Sequence, residues 1–255
     1  MTPSLQKNTQ QDESPQYRDK PGRFMGVGVG PGDPELITLK AARLIESSQV
    51  ICYLANKEDA SQSREIAKAH LLSTHTELPI YMPMSDDPTV GSAVYDEAAQ
   101  AIAEYLQQGK SVVFLCEGDP LFFGSFSYLL ERLSDQYACE VVPGIPSPNA
   151  ASARLQKPLT MLKESFAVIS GRHTDSHILH TLNNFESVVI MKAGRNRVRI
   201  LNLLKETGRE ADAHYLEYIG RDNEKITEDV TLLEKQAGPY FSLFVILSKK
   251  RQRHD

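Results

Sequence analysis

The sequence predicts an α/β protein of two domains, the first built on a largely parallel sheet with helices and the second on a mixed sheet with helices. Three observations carry this prediction. Short apolar runs alternate with amphipathic segments from Phe24 to Leu155, which is the strand–helix–strand order of parallel βαβ units. A linker-like stretch at 156–163 then breaks the pattern, as a domain boundary does. Beyond it the alternation restarts, with Val-rich and aromatic-rich runs that suit a mixed sheet. The expected division is a disordered tail at 1–22, a first domain at 23–157, a second at 158–248 and a basic end at 249–255.

Phe24-Met25-Gly26-Val27-Gly28-Val29 reads as the first strand, its glycines marking close backbone approach. The loop after it, Gly30-Pro31-Gly32-Asp33-Pro34, lacks the third glycine of a dinucleotide fingerprint, because Pro31 or Asp33 stands at that position. No Gly-Lys-Ser/Thr follows, and an aspartate repels phosphate, so the loop reads as ligand-facing without being a phosphate cradle. Residues 36–47 form an amphipathic helix with Leu36, Leu39, Ala42 and Leu44 as candidate core positions. A strand at 50–54 and a helix at 64–72 come next, then a Pro-broken extended segment at 79–84 that belongs at a sheet edge. A helix at 93–107 ends at Gly109.

The apolar run 111–116 reads as a buried strand, and 124–133 as a helix. Between them lies Glu117-Gly118-Asp119-Pro120. In open α/β sheets ligands sit at the carboxyl ends of strands. Gly118 permits close approach and Pro120 stiffens the loop. The stretch also satisfies the description of an ordinary strand-to-helix turn. Val141-Val142 is a short strand, 143–149 is too rich in proline for a helix or central strand, and 150–155 is a small-residue helix. In the second half, strands are predicted at 166–169, 187–191, 212–218 and 241–247, with helices at 178–182 and 198–207.

The chain has 255 residues and a net charge of −5, which argues against a general nucleic-acid binder. No apolar run reaches the length of a membrane span, and the polar start lacks the apolar centre of a secretory signal. Three cysteines, Cys52, Cys116 and Cys139, stand far apart in no metal-ligand spacing. They read as free thiols in a reducing cytoplasm. His173, His177 and His180 would share one face if all three were helical; solvent exposure and metal ligation both fit that spacing, and the expectation is no metal.

Three segments together resemble a known family. Gly28-Val29-Gly30-Pro31-Gly32-Asp33-Pro34-Glu35-Leu36-Ile37-Thr38-Leu39-Lys40 resembles the first signature of the tetrapyrrole methyltransferases of the cobalamin and siroheme pathways. Cys116-Glu117-Gly118-Asp119-Pro120 with Gly124-Ser125 resembles the second, and Val141-Val142-Pro143-Gly144-Ile145 the third. The agreement in order and spacing runs over residues 24–248. Tyr81-Met82-Pro83-Met84, Ile190-Met191-Lys192 and Gly238-Pro239-Tyr240-Phe241-Ser242 look like the branch that methylates C20 of precorrin-2.

The resemblance implies the two-domain fold of that family, a homodimer, and S-adenosyl-L-methionine held in the interdomain cleft, leaving as S-adenosyl-L-homocysteine. It places Pro31 in the first cofactor loop. Glu117, Gly118 and Asp119 fall against the methionine part and ribose, with Phe122 as an apolar contact after them. Pro146 and Ser147 fall at the third signature, Met191 on the adenine wall, and Gly220 at a late backbone contact. Two departures stand out: Leu54 replaces an aspartate that siroheme-pathway relatives carry, and Ser170-Gly171-Arg172-His173 differs from the C20 branch. No catalytic base is assigned. A polycarboxylate macrocycle needs local cations, and Lys192, Arg195 and Arg197, beside Arg199, form the densest internal basic stretch; a solvated helix start explains the same charges. The other readings are a cobalt-loaded substrate, another ring position, a cofactor-binding protein without turnover, and a peptide methyltransferase on the same fold.

Overall fold

The computed structural model describes residues 21–56, 58, 60–83 and 88–248. The tail expected at 1–22 and the basic end at 249–255 lie, apart from Pro21 and Gly22, outside the described residues. So does Met84, the end of the extended segment. Within the described residues ten strands form two five-stranded sheets.

The first sheet holds β1 (Phe24–Gly28), β2 (Val50–Ala55), β3 (Thr76–Tyr81), β4 (Val112–Cys116) and β5 (Cys139–Val142), in the order β3-β2-β4-β1-β5. Every pairing in it is parallel. Both faces are covered, which is why β1 and β4 are apolar and fully buried rather than alternating. On one face α1 (Leu39–Ser47) and α2 (Gln62–Ile66) set Ala41, Ile45 and Ile66 against Val27, Ile51 and Val113. On the other, α3 (Pro88–Gln107) and α4 (Phe126–Leu133) set Ile102, Leu106, Phe126 and Leu129 against Phe24, Cys52 and Phe114. The chain leaves β1 toward β2 and leaves β4 toward β5, in opposite directions. The neighbouring carboxyl ends of β1 and β4 are therefore the switch point where such sheets take ligands.

The second sheet is mixed, as expected. Its strands are β6 (Phe166–Ser170), β7 (Ser187–Met191), β8 (Ala213–Glu217), β9 (Lys225–Thr227) and β10 (Ser242–Ile246), in the order β6-β7-β10-β8-β9. Only β6 and β7 run parallel. One face is covered by α6 (Asp175–Asn184) and α7 (Arg197–Glu206), with Ile178, Leu182, Ile200 and Leu204 in its core. The other carries α5 (Ser147–Leu155), whose Ala150 and Ala151 pack on Val189, Leu216 and Val245.

Several elements differ from expectation for local reasons. The helix predicted from residue 36 is a 3-10 turn at Pro34–Leu36 followed by α1, because the Thr38 hydroxyl accepts from the Ala41 amide at 3.1 Å and caps the helix there. That cap fixes the helix phase, so Leu39 is 91% exposed while Ala41 and Ile45 enter the core. The proline-rich stretch turns helical at Ser147, with Pro148 in the first turn, where a missing N–H costs nothing. His173 precedes the cap residue Thr174, so the three histidines do not share a helical face. β9 is short and exposed, with no alternation to read. Among the described residues no helix is long and apolar enough to cross a membrane.

Candidate active site between the two sheets

The carboxyl ends of β1, β4 and β5 carry three loops that touch one another through glycine. Gly30 and Gly118 pair across the switch point, with Gly118 N donating to Gly30 O at 2.8 Å. A Cβ on Gly144 would fall 2.1 Å from the Gly118 carbonyl, and one on Gly28 would fall 2.5 Å from the Gly144 amide. No side chain fits there, so the loops close to backbone contact. A Cβ on Gly118 would meet only ordinary contacts, but the residue has φ +68°, which favours glycine. Asp119 locks the arrangement: one carboxylate oxygen accepts from Leu121 N at 2.9 Å and the other from Gly144 N at 3.1 Å.

Opposite stand the ends of β6, β7 and β8 and the start of β10. The two edges meet closely, since a Cβ on Gly32 would lie 2.2 Å from the Ile219 carbonyl and one on Gly220 would lie 2.7 Å from the Asp33 amide. Lys192 Nζ donates to the Phe123 carbonyl at 3.1 Å and stands 5.9 Å from that ring's centre. Arg221 lies over the Phe241 ring at 4.1 Å and reaches Glu117 at 3.7 Å. Phe123, Lys192 and Tyr218 all adopt left-handed backbone, with φ of 55°, 54° and 53°. Such conformations cost of order 1–3 kcal/mol each and gather at functional sites.

The electrostatics of the junction are divided. The first edge carries Asp33, Glu117 and Asp119; the second carries Arg172, Lys192, Arg195 and Arg221. Glu117 keeps 32% of its side-chain surface accessible, yet it is closely surrounded by protein atoms. That burial raises its carboxyl to about 7, with Arg221 and then Lys192 pulling the other way. Burial lowers the Lys192 ammonium, Arg172 lowers it further, and Glu117 opposes both. Burial raises the Tyr240 hydroxyl, with Arg172 pulling it down and Glu117 adding to the rise.

Most residues singled out in the sequence converge here. Pro31 is buried in the first loop; Phe122, Pro146, Ser147 and Met191 are half-buried around the junction. Pro146 Cα lies 3.7 Å from where a Gly118 Cβ would stand. Gly220, at φ +75°, is where the second sheet touches the first loop. Lys192 and Arg195 belong to the same edge, but Arg197, expected to face an acidic substrate, does not. It is 6% exposed, donates from Nε to the Gln236 carbonyl at 2.8 Å and pairs with buried Glu217 at 3.3 Å. The first turn of α7 rotates it inward. Arg199 likewise is taken up by Asp175 and the Gly171 carbonyl. Arg221 escaped the sequence reading, since no spacing links it to Glu117; the neighbouring strand-end glycine was the one signal. A separate concavity of about 540 Å³, lined by Glu210, Glu228 and Asp229 among others, shares no residue with this site.

The chain matches the model of the family described as Tetrapyrrole (Corrin/Porphyrin) Methylases over residues 23–234. The Precorrin-2 C(20)-methyltransferase of Sinorhizobium sp is 34% identical over 233 residues, spanning 88% of this chain and 95% of that protein. The Cobalt-precorrin-2 C(20)-methyltransferase of Salmonella typhimurium is 32% identical over 188 residues, spanning 73% and 79%. Among solved structures, uroporphyrin-III C-methyl transferase from Thermus thermophilus complexed with S-adenyl homocysteine superposes with a TM-score of 0.63 at 26% identity, over 89% of this chain and 97% of that one. Matched along nearly its whole length by motif, sequence and fold, the chain belongs to the tetrapyrrole methylases.

Proposed function

We propose that the protein methylates C20 of precorrin-2 with S-adenosyl-L-methionine, giving precorrin-3A and S-adenosyl-L-homocysteine, in cobalamin biosynthesis. The observation that carries this reading is the pairing of edges across the junction. A glycine-built edge bearing carboxylates suits a compact cationic sulfonium, and a cationic edge suits a macrocycle ringed by carboxylates. The named relatives at 34% and 32% identity act, by their names, on precorrin-2 and cobalt-precorrin-2, so the metal-free and cobalt-loaded substrates are the two forms to compare.

The residues at the junction fit the cofactor. Pro31 and the backbone of 117–119 would hold it beside the switch point, with Phe122, Pro146, Ser147 and Met191 as half-buried surface around it and Gly220 closing from the second sheet. When bound, the cofactor supplies an electrophilic methyl group. The chain's own part is positioning and the exclusion of water, effects that reach about 7–11 kcal/mol when reacting groups are well oriented. Arg172, Lys192 and Arg195 hold the substrate's carboxylates in this reading; Arg197 is left out because its charge is already paired. The reading extends to a homodimer in the cytoplasm, without nucleic-acid or membrane partners. It takes residues 23–157 and 158–248 as the two lobes, with α5 shared between them through its packing on the second sheet.

Calorimetry with S-adenosylhomocysteine tests the cofactor half, with a single saturable site expected and no heat of binding opposing it. For the substrate half, Arg195→Ala raises the KM for precorrin-2 while cofactor affinity stays unchanged; unaltered kinetics remove Arg195 from the site.

A further inference from the structure

We infer that the Glu117 carboxylate accepts the proton released from the carbon that is methylated. The inference rests on the methyl-transfer reading above and adds to it a chemical role for one side chain.

Glu117 follows the last residue of β4, at the switch point, and turns its carboxylate toward the second sheet. Arg221 approaches from the loop after β8, at 3.7 Å, longer than a hydrogen bond. Lys192 faces it from the loop after β7, Tyr240 from the turn before β10, and Cys116 from β4 beneath it. Arg172 acts on Lys192 and Tyr240 from the loop after β6. Among the described residues no hydrogen bond to the Glu117 carboxylate is formed, so its oxygens keep their lone pairs. The other carboxylates at the junction already accept hydrogen bonds: Asp119 from Leu121 and Gly144, and Asp33 from Glu35. Tyr240 has its hydroxyl raised, so it stays protonated at neutral pH.

The step balances on the acceptor alone. Once the methyl group is in place, the carbon carries four single bonds, one of them to hydrogen, and the ring system bears one positive charge. The C–H bond breaks and its electron pair returns to the π system, which becomes neutral. The proton goes to a Glu117 oxygen and makes a carboxylic acid. Solvent then removes it through the opening that leaves 32% of the side chain accessible. A carboxyl held near 7 matches this duty, because a general base works best with a pKa near the working pH.

Glu117→Gln and Glu117→Asp, compared with the unaltered chain, test the inference. In single turnovers with precorrin-2 deuterated at C20, Glu117→Gln slows product formation by about 10²–10⁴-fold, shows a primary isotope effect that the unaltered chain lacks, and binds S-adenosylhomocysteine as before. Glu117→Asp recovers part of the rate. In the ligand-free unaltered chain, carbon NMR shows a Glu117 carboxyl titrating near 7. Glu117→Gln turning over at the normal rate overturns the inference. So does loss of S-adenosylhomocysteine binding in both variants, which makes the residue a cofactor ligand. Should Glu117→Gln not fold, a Glu117 carboxyl titrating in the ordinary carboxylate range overturns it alone. An unaltered chain that binds no S-adenosylhomocysteine overturns the methyl-transfer reading, and the inference with it.

Discussion

Burial raises the Glu117 carboxyl to about 7, so the folded chain holds a proton there that the unfolded chain releases near 4.5. The protonated fold is favoured, and that stabilisation is complete below 4.5 and lost as pH rises through 7. Glu117→Gln, which cannot ionise, is therefore expected to raise the thermal midpoint relative to the unaltered chain at pH 8 and to leave it unchanged at pH 4.5. Equal effects at both pH values contradict the assignment. Gly144 tests the loop packing. Its Cβ would stand 2.1 Å from the Gly118 carbonyl, so Gly144→Ala is expected to cost about 1–3 kcal/mol in urea unfolding and to weaken S-adenosylhomocysteine binding together with stability. Arg197 and Arg195 separate on the same principle of burial. Arg197→Ala leaves Glu217 uncompensated in the interior and is expected to cost about 3–5 kcal/mol, whereas Arg195→Ala, at an exposed position, is expected to change substrate KM instead.

Among the elements, α1 shows what the sequence could and could not convey. Its apolar spacing made a helix legible, but the phase depended on whether Thr38 capped it, and the cap moved the core from Leu39 to Ala41 and Ile45. Leu39→Ser is expected to change stability by less than about 0.5 kcal/mol, while Ile45→Ala costs about 2–5 kcal/mol; urea titrations of both variants check the pair. The strands were legible because burial on both faces leaves continuous apolar runs, as in β1 and β4. α5 was half-legible: proline signals a break, yet in a first turn it signals a start, and only the packing of Ala150 and Ala151 on the second sheet decides which. Arg197 was misjudged because spacing along the chain gives charge density and not the direction of a helix face.

For the molecule as a whole, the two sheets present their functional edges to each other, and the contacts between them run through residues that sequence order keeps far apart. Gly32 meets Ile219, Phe123 meets Lys192, and Glu117 meets Arg221. Signature motifs made the first edge legible, because glycine, proline and acid cluster there for backbone reasons. The second edge was legible only in part: Lys192 and Tyr240 lie in segments that resemble the C20 branch, whereas the left-handed backbone at Lys192 and Tyr218 and the placing of Arg221 are fixed by tertiary contact. The fold therefore brings an acidic bend under a cationic rim, and the proposed chemistry depends on both. The most direct measurement is incubation of the purified chain with precorrin-2 and methyl-¹³C-labelled S-adenosylmethionine, followed by carbon NMR of the macrocycle. The account predicts one labelled methyl group, bonded to C20. Label at another ring position, or a macrocycle without label in metal-free and cobalt-loaded forms alike, would contradict it.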